Sequence, residues 1–297
     1  MDKVAAVVVT YNRLTLLKKN LASLMNQKCD IDLDILVIDN LSTDGTGKYV
    51  KGIKDYRIKY FCTGKNIGGA GGFNYGMRKA VEAGYKWIWL MDDDTVPEAN
   101  ALQELLKVDS KLQDDYGFIS SRVLWKDGTQ CLMNCPKYKN KTINQDNLQS
   151  SLTDITQASF VSLLIRRNIV KVIGLPIKDF FIWGDDVEYT RRISLRYNKK
   201  CYIVRESIVY HLMNINRGSN IAIDDISRIS RYRYAYRNEG YTFRQEGIYG
   251  SCYYLLKCLF NLLRILLKSR NYKKQRINTL VKGILDGIHF NPSVEQI

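Results

Sequence analysis

The chain has 297 residues, of which 45% are hydrophobic and 4 are proline, so it can bury a substantial core and is not of a disordered or low-complexity composition. The formal net charge is +15, and residues 191–282 hold the whole excess, with 20 Lys and Arg against 5 Asp and Glu. Such a basic stretch is suited to nucleic acid, anionic lipid or an anionic substrate. The seven scattered cysteines argue against a disulfide framework and favour free thiols in a reducing cytoplasm.

Strands and helices alternate four times from the N-terminus. Apolar, β-branched runs predict buried strands at 4–9, 33–38, 57–61 and 86–91, and helices are predicted at 13–25, after Asp44, from Asn66 to about Ala83, and at 98–108 with Pro97 in the first turn. Residues 125–155 are polar and predict a loop or hairpin. Further strands are predicted at 160–165, 201–204 and 207–210, a helix at Asp185, and a helical region from about Ile226 onward.

This alternation predicts an α/β fold with a mostly parallel sheet flanked by helices on both faces. In such sheets ligands bind beyond the carboxyl ends of the strands. The unusual polar clusters all fall at predicted strand ends, namely residues 10–12, Asp39, and residues 92–94. We therefore expect a single binding site along this edge.

The triplet Asp92-Asp93-Asp94 predicts a cation site. Adjacent carboxylates repel one another unless a cation is present, and Asp92 and Asp94 point to the same side of an extended segment. A hard divalent ion bound to a diphosphate takes one or two carboxylates from the protein. The competing interpretation is a solvated acidic turn.

Five motifs together resemble the inverting nucleotide-sugar transferases of glycosyltransferase family 2, and most closely the galactofuranosyl- and rhamnosyltransferase branch. In order along the chain, the motifs are VVVTYNR (7–13), VIDNLSTDGT (37–46), NIGGAGGF (66–73), MDDDT (91–95) and WGDDVEY (183–189). The resemblance extends to about residue 211. It implies a GT-A (Rossmann-like) catalytic domain over residues 1–222, followed by a basic helical region over residues 223–297.

The resemblance also implies roles for individual residues. Donor-binding positions would be Thr10, Tyr11, Arg13, Asp39, Asn66, Gly68, Gly69 and Asp93, with Thr10 and Tyr11 lining the nucleobase pocket. Mn²⁺ or Mg²⁺ would be held by Asp92, Asp94 and His211. The competing interpretations are a helix-capping turn at Asp39, a tight packing turn at the glycines and a satisfied structural histidine at His211. Phosphate contacts are also open to three arginines: Arg191, Arg192 and Arg217.

An inverting transfer needs a general base that removes the proton of the acceptor hydroxyl. Carboxylates at a helix start behind aromatic residues are partly shielded, which raises their pKa. By resemblance Asp186 is this base, while Asp185 and Trp183 bind the acceptor. The alternative is a helix N-terminus stabilised by acidic residues.

Residues 248–268 predict one amphipathic helix. Its polar residues Lys257, Asn261, Arg264 and Lys268 fall on a single stripe, and the rest of the surface is apolar. With basic residues after it, this pattern favours a helix lying on the anionic inner leaflet of the plasma membrane. A helix packed on the catalytic domain or in a homo-oligomer is the alternative. No run of eighteen uncharged apolar residues occurs, so a transmembrane helix is not expected.

The sequence thus predicts a cytoplasmic, peripherally membrane-associated enzyme that transfers galactofuranose from UDP-galactofuranose to a lipid-linked or oligosaccharide acceptor in bacterial surface polysaccharide synthesis. Rhamnosyl transfer from dTDP-rhamnose is the near alternative. A nucleotidyltransferase is a distant one, because the segment after the first strand lacks glycine. A nucleic-acid-binding protein is a second distant alternative, suggested by the Arg/Tyr-rich run 228–237. That run comes with no nucleic-acid-binding motif, so nucleic acid is not expected as a partner.

Overall fold

The computed structural model describes residues 2–113, 115–140 and 151–297. Its strands are β1 Val4–Thr10, β2 Leu33–Asp39, β3 Ile58–Cys62, β4 Trp87–Asp92, β5 Thr95–Pro97, β6 Ile119–Trp125, β7 Lys137–Tyr138, β8 Leu152–Gln157, β9 Leu163–Arg166 and β10 Tyr202–His211. Its helices are α1 Leu14–Met25, α2 Thr46–Lys51, α3 Gly68–Glu82, α4 Ala101–Leu112, α5 Arg167–Ile173, α6 Asp185–Arg191, α7 Ile226–Ile229, α8 Arg231–Arg244, α9 Gly247–Lys268 and α10 Lys273–His289. A 3₁₀ turn at Lys178–Phe180 precedes α6, and a π-helical turn at Arg192–Arg196 follows it.

The strands form one mixed sheet in the order β3-β2-β1-β4-β9-β6-β10-β8-β7, with β5 paired to β10. Strands β1 to β4 run parallel, as do β6 and β10, while β9 and β8 run antiparallel to their neighbours. The predicted α/β class with a mostly parallel, helix-flanked sheet is confirmed.

Alternate residues of β1 enter the two cores on opposite faces of this sheet. Ala5, Val7 and Val9 pack in the core that contains α3, and Val4, Ala6 and Val8 pack in the core that contains α1 and α4. Both faces of the strand are therefore covered, which explains why its sequence is continuously apolar.

The strand register aligns the polar residues predicted to form the site. Thr10 is paired with Asp39 of β2, and Val9 is paired with Asp92 of β4. The carboxyl ends of β2, β1 and β4 therefore lie side by side, which confirms that these polar clusters share one edge.

Two local predictions are wrong. Pro97 is not in the first turn of a helix: it ends β5 opposite Val209 of β10, and α4 begins at Ala101. A proline is tolerated there because it lies at the end of a strand. Residues 201–210 do not form two strands either, since β10 is continuous with an irregularity between Val204 and Ile208. The hairpin predicted for 125–155 is confirmed where β7 pairs with β8, and residues 141–150 lie outside the described residues.

The region after residue 225 is helical, as predicted. Helix α9 is long and apolar enough to cross a membrane by length and composition alone, with a mean hydropathy of 1.3, although the charged residues within it led to the expectation of no transmembrane helix. The helix contains Lys257 and Arg264, and the apolar residues around them keep the mean hydropathy at this value.

Candidate active site

Asp92, Asp94 and His211 converge into one cluster. Asp92 ends β4, Asp94 lies two residues further on, and His211 ends β10. One ligand atom from each residue lies within 4.8 Å of the others, so the group could hold a metal ion. The His211 Nε2 to Asp94 Oδ1 distance is 3.0 Å. Two carboxylates and an imidazole form a donor set that fits a divalent cation such as Mn²⁺.

Asn134 orients the His211 ring, and sequence reasoning missed it. The Asn134 Oδ1 lies 2.7 Å from His211 Nδ1, and its amide nitrogen donates to Ser159 Oγ at 3.0 Å. The donation to Ser159 turns the amide oxygen toward the imidazole, where it accepts the Nδ1 proton. Nε2 is thereby directed at the carboxylates, as a histidine ligand requires.

Arg13 supplies part of the positive charge that the acidic triplet requires. Its guanidinium lies 2.7 Å from Asp94 Oδ2 and 3.3 Å from Asp93 Oδ1. Burial raises the pKa of Asp92 to about 6, with the charge of Asp94 adding to the effect. Burial disfavours the imidazolium of His211, but the hydrogen bond and charge of Asp94 outweigh it and raise the pKa to about 10. The cluster is thus a buried site with excess negative charge, compensated by Arg13 and His211.

Asp93 has a partner that the other two aspartates lack. It accepts the Thr10 hydroxyl at 2.7 Å, and both residues are buried. Burial raises the pKa of Asp93 to about 7, although the charge of Arg13 opposes the shift. Thr10 and Asp93 therefore bond to each other, whereas the neighbouring Tyr11 is exposed and free to face a ligand.

Asp39 is buried beside this pair. One carboxylate oxygen accepts the Ser42 backbone N–H at 2.8 Å, and the other accepts the Tyr60 hydroxyl at 2.7 Å. The turn-forming role and the predicted donor-binding role are thus compatible, because each carboxylate oxygen can accept a further bond.

The glycines of the Gly-rich segment differ in what surrounds them. A Cβ at Gly68, where φ is +74°, would lie 2.0 Å from the carbonyl oxygen of Phe181, and one at Gly72 would lie 2.5 Å from Val9. These two glycines serve close packing. A Cβ at Gly69 would meet nothing within 4 Å, so this position is open to a ligand. Asn66 closes the turn by accepting the Gly68 N–H at 2.9 Å.

Asp185 and Asp186 begin α6, immediately after Trp183 and Gly184. Burial raises the pKa of Asp186 to about 6, with a contribution from the charge of Asp92. Burial, and next the charge of Asp186, raise the pKa of Asp185 well above its usual range. The pKa shift is upward for both carboxyls, as expected, and Asp92 is close enough for its charge to contribute to both shifts.

Two of the three arginines considered as phosphate contacts are bound by protein groups in the structure. Arg191 makes two 2.6 Å bonds to Glu246. Arg192 is buried and donates to Glu188 and to backbone carbonyls. Arg217 remains half-exposed, 3.3 Å from the buried Asp224.

Comparison with solved structures shows the same architecture. A mannosyltransferase from Pyrobaculum calidifontis, solved with GDP-Man and Mn²⁺, has a TM-score of 0.59 at 13% identity, covering 97% of this chain and 87% of that one. S. aureus TarS (residues 1–349), solved with UDP-GlcNAc, has a TM-score of 0.58 at 16% identity, covering 95% and 81%. The chain therefore has the GT-A fold.

Sequence comparison identifies the family. The model described as Glycosyl transferase family 2 matches residues 5–174. Galactofuranosyltransferase GlfT1 of Mycolicibacterium smegmatis is 29% identical over 208 residues, 65% of each chain. GlfT1 of Mycobacterium tuberculosis is 32% identical over 205 residues, 65% of this chain and 64% of that one. The chain belongs to glycosyl transferase family 2, and the match spans about 65% of the length of these relatives.

Proposed function

We propose that this protein is a metal-dependent, inverting glycosyltransferase that moves galactofuranose from UDP-galactofuranose to a hydroxyl of a lipid-linked or oligosaccharide acceptor. One observation carries the proposal: a three-ligand cluster lies at the carboxyl edge of a GT-A sheet, and the charge of Asp92 in that cluster reaches the carboxylate pair of Asp185, which is buried, and Asp186, which is partly exposed. The three-ligand cluster could hold a cation that binds the diphosphate of a donor, and the carboxylate pair could deprotonate an acceptor hydroxyl.

On the donor side, Asp92, Asp94 and His211 would hold Mn²⁺ or Mg²⁺. A bound ion would supply positive charge that stabilises the diphosphate as the leaving group. Arg13, which already bonds to Asp94, would lie beside the same phosphates and contribute positive charge. Tyr11 offers an exposed aromatic face to the nucleobase.

Asp93, Asp39, Thr10, Asn66 and Gly69 complete the proposed donor site. Asp39 would bond to the uracil or ribose, and Asp93, fixed by Thr10, to the ribose or sugar. Gly69 is open, so the backbone of α3 can approach the donor closely. Asn66 holds the turn that presents it.

On the acceptor side, Asp186 is the proposed base and Asp185 the proposed ligand of an acceptor hydroxyl. Asp186, with a pKa of about 6, is ionised at neutral pH and can take the acceptor proton as the hydroxyl attacks the anomeric carbon. Burial and the charge of Asp186 raise the pKa of Asp185, which favours a protonated carboxyl that could donate a hydrogen bond to a neighbouring acceptor hydroxyl. Trp183 would form an apolar wall for the acceptor.

The choice of sugar rests on the GlfT1 relatives, which are named as galactofuranosyltransferases. A Campylobacter jejuni relative, 32% identical over 127 residues, is named a GalNAc(5)-diNAcBac-PP-undecaprenol β-1,3-glucosyltransferase, and this name supports a lipid-linked acceptor.

The orientation of α9 supports association with a membrane. Its polar side faces the protein: Lys257 pairs with Glu239 of α8, and Tyr254 and Asn261 are buried. The outward side is apolar, with Leu267 83% exposed. The other exposed apolar residues of this side are Ile248, Tyr249, Tyr253, Leu255, Leu256, Leu259, Phe260, Leu263 and Leu266. A helix with an exposed apolar side, followed by basic residues, can bind to the surface of an anionic bilayer. Such binding would bring the site to a lipid-linked acceptor in that bilayer.

The test is turnover and binding with a panel of nucleotide sugars, first with Mn²⁺ and then with EDTA. Selection of UDP-galactofuranose that is lost in EDTA and restored by Mn²⁺ supports the proposal. Selection of dTDP-rhamnose would keep the mechanism and replace the sugar. No metal-dependent binding of any donor would contradict the proposed activity.

A further inference from the structure

The turn that leads into α6 has an unusual backbone. Phe181 and Trp183 have φ angles of 62° and 63°, and Gly184 has a φ of 89°. Non-glycine residues cost free energy in this left-handed region, because the Cβ atom crowds the backbone. The next two residues are the carboxylate pair, so whatever fixes this turn also fixes the direction of both carboxylates.

Helix α8, from the C-terminal region, holds the turn through one amide. The Asn238 side-chain nitrogen lies 3.0, 3.2 and 2.7 Å from the carbonyl oxygens of Phe180, Ile182 and Trp183. Asn238 is fully buried, and loss of its amide would leave these carbonyls without their N–H donor. A single residue thus organises three of the five carbonyls between residues 179 and 183.

Arg237, the preceding residue, fixes both the amide and the start of the turn. Its Nε donates to Asn238 Oδ1 at 3.0 Å, which directs the amide nitrogen toward the turn. Its guanidinium also donates to the carbonyls of Asp179 at 2.7 Å and Phe180 at 3.1 Å. The same helix packs Tyr232 edge-on against Trp183, with ring centroids 5.0 Å apart.

We propose that Arg237 and Asn238 are positioning residues for the transfer reaction, and that α8 is thereby a working part of the acceptor side of the site. This inference rests on the proposed function, because it takes Asp186 as the base. The pair touches neither donor nor acceptor. It sets the direction in which Asp185 and Asp186 enter the site by fixing the backbone in front of them.

The experiment compares Asn238→Ala and Arg237→Gln with Thr242→Val, a matched control one turn along α8. Thr242 is buried, and its hydroxyl bonds only to the Asn238 backbone carbonyl, so the control removes a buried hydrogen bond and leaves the turn intact. Arg237→Gln removes bonds to the turn without opening a buried cavity, and it carries the test if Asn238→Ala is unstable. The measurements are kcat, the Kd of UDP with Mn²⁺, and hydrogen–deuterium exchange of residues 178–190.

We expect kcat to fall on the order of tenfold to a hundredfold in both variants, as for small misplacements of reacting groups. The Kd of UDP should stay within about twofold, since the donor site lies on other elements, and exchange should quicken in residues 178–190. The Thr242→Val control should match the wild type in kcat, in the Kd of UDP and in exchange. Unchanged exchange in both variants would overturn the inference even if the wild type proved inactive. Faster exchange with unchanged kcat, or a loss of UDP affinity equal to the loss of kcat, would overturn it too.

Discussion

Replacing Asp186 by Asn removes the proposed base and keeps the size of the side chain. We expect kcat to fall by about 10²–10⁴-fold, the range typical for loss of a general base, with little change in donor affinity. The same substitution should also stabilise the protein at neutral pH. Burial raises the pKa of this carboxyl from an ordinary 3.8 to about 6, so its ionised form opposes folding.

The size of this stabilisation follows from the pKa shift. Below about pH 4 the group is protonated in both folded and unfolded chains and has no effect. As the pH rises from about 4 to 6, the unfolded chain loses the proton first, so the wild type loses stability. Above pH 6 the loss is complete, and a shift of about two units corresponds to about 3 kcal/mol at most. Asn cannot ionise and avoids this loss.

The assay is urea unfolding of wild type and Asp186→Asn at pH 4.5 and pH 8, together with kcat. Asp179→Asn is the control, because Asp179 is an exposed carboxylate of the same loop. The variant should gain stability at pH 8 and much less at pH 4.5, while the control changes neither property. A variant that is less stable than wild type at pH 8, or one with full turnover, would refute the reasoning.

Four further outcomes follow from the site. The wild-type kcat should fall about tenfold between its plateau and pH 5, because only about a tenth of a base with a pKa near 6 is ionised there; a rate that stays flat down to pH 5 would contradict this. Asp94→Asn should abolish Mn²⁺-dependent binding of UDP, measured by calorimetry, and unchanged binding would remove Asp94 from the ligand set. Gly68→Ala should cost about 3 kcal/mol because of the Phe181 carbonyl, whereas Gly69→Ala should change stability by less than about 0.5 kcal/mol in the same unfolding assay. Leu256→Glu on the exposed side of α9 should weaken sedimentation with anionic vesicles, and sedimentation equal to that of wild type would argue against the membrane surface.

Strands β1 to β4 were predictable from sequence to within one or two residues. Parallel strands buried on both faces are continuous apolar runs, and the polar residues that follow them mark the ligand edge. The cluster of Asp92, Asp94 and His211 followed from the acidic triplet and the family resemblance, and its geometry is consistent with that prediction. The domain boundary near residue 222 and the roles of the site residues stay predictions.

The features that could not be predicted from the sequence depend on contacts between segments far apart in the chain. Pro97 begins no helix, because β5 pairs with β10 more than a hundred residues away. Arg191 forms an ion pair with Glu246, and no sequence pattern near either residue predicts that pair. Asn134 and Asn238 are single amides that no motif marks. Their roles depend on tertiary contacts, that of Asn134 with His211 and that of Asn238 with the turn before α6.

The central claim is a single displacement in which one carboxylate, that of Asp186, deprotonates the acceptor. The most direct test is the anomeric configuration of the transferred sugar, determined by NMR on product made by the wild-type enzyme from its selected donor. Inversion relative to the donor is the predicted result. Retention of configuration would contradict the account, because it requires a covalent intermediate or a different arrangement of nucleophile and base from the one formed by Asp185 and Asp186.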